Sequence, residues 1–406
     1  MNSSSSENIY DLRFAATFAA NLALMSAVSL LYRYADFVAV HGGSELQLGI
    51  IVGLGAIGAV LVRILQGSAM DRVGTKVVWL SSLLLLIVGC LSHTMITNVV
   101  GWQVFLARFC LASGIAGALG SWLTFASLRV PKHRVAEMIG VVGSSGFIGM
   151  AIGPTIGDLL MGTSQPQIAD VNKMFFAAAG LGFVSMVCAW GAHHGLQFAV
   201  PTSMERPWTV IKQYRPGFLL VVAITMGIGG SIPSTYVRPW AKSLDANSIA
   251  IYFWVYNSVA FGCRIVFSQM FQRFGLRKMT VVGLAALILS LILYVTVPSQ
   301  QWIFVPAVLA GLSHAFLFPA VMAAGLSSFP DRHRGLAINF MFSIYDMGLL
   351  IGAPLVGTLL WGSAKLGFSP YPTTFLILAV WVASVLLLYK IVTDAPKRAT
   401  QIADHA

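Results

Sequence analysis

Some twelve apolar stretches, each near twenty residues long, recur along this chain and set the limits on how it folds. A segment of that length can satisfy its own backbone in hydrocarbon only as a helix, and about 20 residues cross the roughly 30 Å of a bilayer core. The pattern predicts spans at 12–32, 46–66, 77–97, 99–119, 137–160 and 172–192. A second set is predicted at 217–237, 248–268, 279–297, 302–322, 335–361 and 373–392. Only 10% of the 406 residues are charged, against about 25% in soluble domains, so the polar surface that water demands is missing. The expectation is an all-α membrane protein of twelve transmembrane helices. The leading segment lacks a basic region of the signal-peptide kind, so the first span is expected to be retained. Cys90, Cys110, Cys188 and Cys263 all fall in apolar segments without metal-ligand spacing. They read as packing residues, with no disulfide and no metal expected.

A net charge of +11 invites a nucleic-acid reading, but the placement of the charges opposes it. With both termini set in the cytoplasm, only Arg33, Lys173, Arg238, Lys242 and Lys365 fall on the outside, and only Arg108 and Arg264 lie within spans. The other eighteen of the 25 Lys and Arg residues fall at cytoplasmic ends. That asymmetry is the positive-inside signal, and it predicts a multi-pass protein of the cell (inner) membrane.

The chain also repeats itself at an offset near 200 residues. Arg63, Arg72, Gly74 and Lys76 line up with Arg264, Arg273, Gly275 and Arg277. His133, Arg134, Pro154 and Gly157 line up with His333, Arg334, Pro354 and Gly357. The polar stretch 193–216 separates the copies, which gives an N-terminal six-helix bundle over 1–192 and a C-terminal one over 217–406. Two parallel repeats are what a rocking transporter needs, with a solute site between them. A duplicated membrane protein of another kind is the plainer reading.

The chain resembles the major facilitator superfamily over essentially its whole length. The family's loop between the second and third helices is matched by Gly67, Asp71, Arg72, Gly74 and Lys76, with Ala69 and Thr75 as departures. A fourth-helix arginine motif is matched by Arg108 with Gly114 and Gly117, and a fifth-helix pattern by Gly149, Gly153, Pro154 and Gly157. The resemblance implies two pseudo-symmetric six-helix bundles, with every third helix facing lipid. The fifth-helix pattern goes with antiporters in similar proteins, which tilts the expectation towards export.

These motifs also have physical readings of their own. Gly74 permits a tight turn, and Asp71 can face a neighbouring helix N-terminus. Arg72 and Lys76, with Arg273, Gly275 and Arg277 in the second copy, would form a gate that holds one side closed in one state. Simple basic anchoring is the alternative. Gly149, Gly153 and Gly157 make one smooth helix face, and Pro154 bends the helix, as Pro354 beside Gly357 would in the other half. That face serves equally as a seal or as plain packing. Gly53-Leu-Gly-Ala-Ile-Gly58 mimics a dinucleotide fingerprint, but it lies inside a span with no strand before it. With no phosphate-binding loop and no hydrolase or metalloprotease motif, neither an ATP-driven pump nor an enzyme is expected, and no cofactor.

Ionisable groups at the bilayer centre cost about 2.5–3.5 kcal/mol on insertion scales, so each needs a reason. Arg63 and Arg264 sit about one turn from a helix end and are expected to snorkel, and Asp158 is expected to be wet at the outer surface. Asp346, about 16 Å deep, and Arg108, about 14 Å deep, cannot escape, and His314 lies in mid-span. Asp346 falls opposite Gly146 in the repeat, so one copy alone carries the carboxylate. Asp346 is therefore the expected proton-binding group, with Arg108 or His314 as the cation that favours its ionised form. A structural Asp–Arg or Asp–His pair is the alternative. Asn21, Trp122, Asn257, Phe318 and Asn339 are candidate cavity-lining groups.

The combined expectation is a monomeric, proton-coupled exporter of a small organic solute, in contact with membrane lipid and with no nucleic-acid partner. Its alternatives are an importer or uniporter of a sugar, organic acid or peptide, and a transport-inactive receptor or scaffold.

Overall fold

A computed structural model describes residues 10–130, 135–162, 166–193, 207–267, 270–330 and 333–403. His133, Arg134 and most of the 193–216 stretch lie outside the described residues. No strand occurs among those described. Ten helices are long and apolar enough to cross a membrane: α1 (Leu12–Val40), α2 (Glu45–Gln66), α3 (Arg72–His93), α4 (Trp102–Leu128), α6 (Ile168–Ala192), α7 (Leu219–Lys242), α9 (Arg273–Thr296), α10 (Gln300–Ser327), α11 (Gly335–Lys365) and α12 (Pro370–Asp394). Helix α5 (Val135–Met161) and the shorter α8 (Ala250–Val266) complete twelve.

Several helices outrun the predicted spans. Helix α1 continues to Val40 and α4 to Leu128, because an apolar window marks the stretch that fits hydrocarbon rather than the point where backbone hydrogen bonding stops. Two helices change pitch at corresponding places. A 3₁₀ turn at Leu31–Arg33 tightens α1, and a π turn at Ile232–Tyr236 loosens α7 where Pro233 removes a backbone donor.

The repeat is legible in the backbone. Helical bonding runs from Glu45 to His93 with one break at Gly74 (φ 82°, ψ 159°), and Gly275 breaks the equivalent stretch at φ 79°, ψ 158°. Only glycine takes that conformation without strain. Within the first half, α1 packs on α5 and α6, and α4 packs on α2 and α3. Within the second, α7 packs on α11, α10 on α8 and α9, and α9 on α12. The halves meet along two seams, α2 with α11 and α5 with α8.

The glycine row of α5 belongs to packing inside the first half. A Cβ at Gly149 would come within 2.7 Å of the Leu22 carbonyl oxygen on α1, and Gly153 and Gly157 also abut α1. The second copy differs: Pro354 lies against Gly53, and Gly357 against the Glu45–Leu46 backbone, both across the seam on α2.

Candidate functional site

A cavity of about 410 Å³ lies between the halves. Its wall is mostly apolar, with Met25, Met150, Met226, Phe253 and Leu317 among its residues, and one acidic and three basic side chains break that surface: Asp346, Arg63, Arg108 and His314. The volume is in the range of small-molecule sites, about 300–1,000 Å³. Helices α3, α6 and α12 contribute nothing to the wall, as expected of every third helix. Helix α9 departs from that expectation, since Leu287, Ser290, Leu291 and Tyr294 reach the cavity. Gly229 and Gly230 on the intervening α7 carry no side chain to screen them, and Leu287 packs directly against Gly229.

The partner of Asp346 is Arg63. Arg63 Nε donates to Asp346 Oδ2 at 3.0 Å, and both residues are buried. The expectation that Arg63 snorkels is thus overturned: its side chain turns sideways across the seam, and its guanidinium also lies 4.7 Å from the centre of the Phe342 ring. Neither Arg108 nor His314 pairs with Asp346. Arg108 lies over the Tyr34 ring at 4.5 Å, and its Nε has no hydrogen-bond partner. His314 stacks on Phe318 and meets the rings of Phe147 and Tyr256 edge-on or tilted.

Arg264, the repeat counterpart of Arg63, also turns inward rather than snorkelling. Its guanidinium lies 4.7 Å from the Phe147 ring and 6.0 Å from Phe318, with Nε unpartnered. Of the five residues expected to line the cavity, Asn257 and Phe318 do. Asn21 is buried in a hydrogen bond to Ser145, Trp122 is buried in the first bundle, and the Asn339 carbonyl accepts from Ser343, all three off the cavity wall. A polar side chain on a buried helix face is as readily used between helices as towards a cavity, which sequence position does not distinguish.

A second buried network was missed altogether. It lies on the face of the molecule opposite the 193–216 stretch, the far face. Asp36 on α1 accepts from Arg33 Nε at 2.7 Å and from Arg238 Nε of α7 at 2.9 Å. Arg33 and Arg238 are each 1% exposed, so both charges depend on this carboxylate. Arg33 also reaches Asp158 at 3.0 Å. Asp158, far from being merely wet, accepts from Ser248 Oγ and from the backbone N–H groups of Ile249 and Ala250. A carboxylate of one half thus caps the N-terminus of α8 in the other, where the helix dipole favours an anion. Tyr236 adds a bond to the Ala353 carbonyl. The pairing of Arg33 with Asp36 three residues on was the available sequence signal.

At the linker face, none of the described motif side chains pairs with the other half. Lys76 lies 5.8 Å from the Trp190 ring, Arg277 pairs with Asp394, and Arg72 and Arg273 are exposed. Gly67 and the side chain of Asp71 lie outside the described part. No ion pair among the described residues joins the halves at this face. Among the described residues, ion pairs therefore join the halves at the far face and none does so at the linker face.

Two seams, a central cavity and a clamp at one end define a two-bundle carrier. The major facilitator superfamily model matches residues 13–305 and 249–406, and the chain belongs to that superfamily: it is a multi-pass membrane transporter, not an enzyme. It is 24% identical over 389 residues to the multidrug resistance protein MdtG of Yersinia enterocolitica, covering 91% of this chain and 89% of that one. It is 24% identical to MdtG of Salmonella dublin, covering 86% and 87%. Solved structures share the fold. The nucleoside transporter NupG superposes with a TM-score of 0.75 at 13% identity, covering 94% of this chain and 98% of that one. An auto-inhibited peptide transporter of the POT family superposes with 0.73 at 12%, covering 94% and 97%.

Proposed function

We propose that the protein exports a small organic solute in exchange for protons, by alternating access of the central cavity to the two faces. The observation that carries this reading is the Arg63–Asp346 pair: a buried carboxylate on the cavity wall whose counter-ion belongs to the opposite half. The moving bodies are residues 1–192 and 217–406, joined by 193–216. When the seam between α2 and α11 opens, Arg63 withdraws from Asp346, and a buried carboxylate without a cation favours its protonated form. When the seam closes, the guanidinium returns and favours release of the proton. Arg108 and His314, sharing the cavity wall, bear on the same site without contacting Asp346.

The charge asymmetry read from the sequence puts the linker face and both termini in the cytoplasm. With that orientation, the far-face clamp supports reading this as the inward-facing arrangement, and the proposed setting is a monomer in the inner membrane. Sequence likeness to proteins called multidrug resistance proteins supports export of an organic compound. The motif glycines Gly74 and Gly275, with Asp71, Arg72, Lys76, Arg273 and Arg277, form the gate that assembles when the cytoplasmic side closes.

The test is flux in proteoliposomes across a panel of organic solutes, with and without an imposed pH gradient. Gradient-driven flux should fall at least about 100-fold in Asp346→Asn while solute exchange persists, because the neutral side chain holds the site permanently in its proton-loaded form. Undiminished gradient-driven flux in that variant removes Asp346 from the coupling step.

A further inference from the structure

The acidic and basic side chains on the cavity wall do not balance. Arg63 and Asp346 neutralise each other, and His314 is enclosed by aromatic rings. Arg108 is left over. No carboxylate among the described residues lies within ion-pair distance of it, its Nε has no partner, and one face of its guanidinium is covered by Tyr34. Tyr34 is itself held by a hydrogen bond between its hydroxyl and His93 Nε2 at 3.0 Å. Gly55 on α2 makes room for the arginine's stem, because a Cβ there would lie 3.2 Å from the Arg108 Cβ and closer still to its Cγ. The guanidinium is therefore fixed in place and unspent.

The opposite seam repeats the imbalance. Arg264 lies where Arg63 lies in the other half, but the position matching Asp346 is Gly146, so Arg264 meets the Phe147 ring instead of an acid. The interior between the halves thus carries two cations beyond the one its own acid neutralises. An arginine in a mostly apolar enclosure needs a counter-charge, and its planar donor fork matches carboxylate and phosphonate oxygens.

We infer that the transported solute is an organic anion, a carboxylate or phosphonate on an apolar body, and that Arg108 is the group that binds its charge. This rests on the reading of the cavity as the transport site. The apolar body lies against the methionine and aromatic wall around Met25, Met226 and Phe253. A cationic solute finds no free acid here, since Asp346 is already engaged by Arg63.

The full-length protein, purified in detergent, can be tested with matched probes: 1-naphthoate and benzylphosphonate, the neutral 1-naphthamide and diethyl benzylphosphonate, and the cation 1-naphthylmethylammonium. The readout is the concentration at which each raises the melting temperature, since a ligand of the native state stabilises it. At least one anion should act at about tenfold lower concentration than its neutral twin, as a charge-assisted pair requires. Arg108→Gln should abolish that preference, and Arg108→Lys, which keeps the charge but not the fork, should retain part of it. No anion preference in the native protein, a preference that survives Arg108→Gln, or strongest binding by the ammonium probe would each overturn the inference. Anion preference without any gradient-driven flux in the native protein contradicts the coupling reading alone, whereas gradient-driven flux of the cation contradicts this inference alone.

Discussion

Arg63 and Arg264 stand at the same place in the two halves, yet they meet opposite fates. Each leaves a seam helix and reaches across to the other half. Arg63 finds Asp346, whereas Arg264 finds the face of Phe147, because Gly146 stands where the second carboxylate would be. The backbone kept its symmetry through the repeat while the chemistry did not. Matching halves suit a scaffold that rocks, whereas only one of the two seams pairs its arginine with an acid.

That contrast can be broken by unfolding measurements in detergent. Arg63→Gln strands a buried carboxylate, and breaking such a pair costs about 3–5 kcal/mol. Arg264→Gln removes only a cation–π contact, worth about 0.5–2 kcal/mol. Equal losses would mean that the two seams are energetically alike and that Asp346 is already uncharged. The double change Arg63→Gln with Asp346→Asn should recover much of the first loss, since no stranded charge remains.

The two loop glycines sharpen the comparison from the other side, because there the halves agree. Gly74→Ala and Gly275→Ala each force a side chain into a conformation reserved for glycine, at about 1–3 kcal/mol apiece. Their melting temperatures should drop together, and a loss confined to one copy would deny that the loops do the same structural work.

The smallest effect is expected at the margin of the first half. Asp11 caps α1 by accepting from the Phe14 N–H, and Arg129 at the end of α4 pairs with it at 2.8 Å. Partial burial works to raise its carboxyl, but the Arg129 hydrogen bond, the Phe14 N–H and the charges of Arg129 and Arg13 outweigh that and hold it below the usual carboxylate value. A depressed acid stabilises the fold above its unfolded value, near pH 3.9, and that contribution fades as pH falls through the lower folded value. For a solvent-screened pair it amounts to no more than about 1 kcal/mol. Asp11→Asn should therefore flatten the acid limb of the stability profile only slightly, and no such pair anchors the second half at the equivalent place among the described residues.

The crossings were legible because hydrocarbon imposes a length and a polarity on every helix, and the repeat because paired glycines and arginines recur near an offset of 200 residues. Asp346 was legible for the same reason: a carboxylate that far from either end of its span needs a purpose. Its partner was not. Depth along a helix says how far Arg63 is from water, but not which helix lies beside it, and a guanidinium one turn from a helix end can turn sideways as easily as outward. The clamp of Arg33, Asp36, Asp158 and Arg238 was hidden by the opposite error. Charges at helix ends read as wet, and only the approach of the two halves buries them. Asn21, Trp122 and Asn339 show the remaining limit: Asn21 turns to Ser145 on a neighbouring helix, and position in the sequence does not separate a residue packed within a bundle from one on a cavity wall.

The account turns on the halves rocking about the Arg63–Asp346 seam, and paired spin-label distances read that motion directly. Labels at Ala169 and Ser369 report the far face, and labels at Val73 and Phe274 the linker face, all at exposed positions. In Asp346→Asn, which mimics the protonated state, the far-face distance should lengthen and the linker-face distance shorten relative to the parent protein. Distances that stay unchanged at both faces, or that move in the same direction, would contradict it.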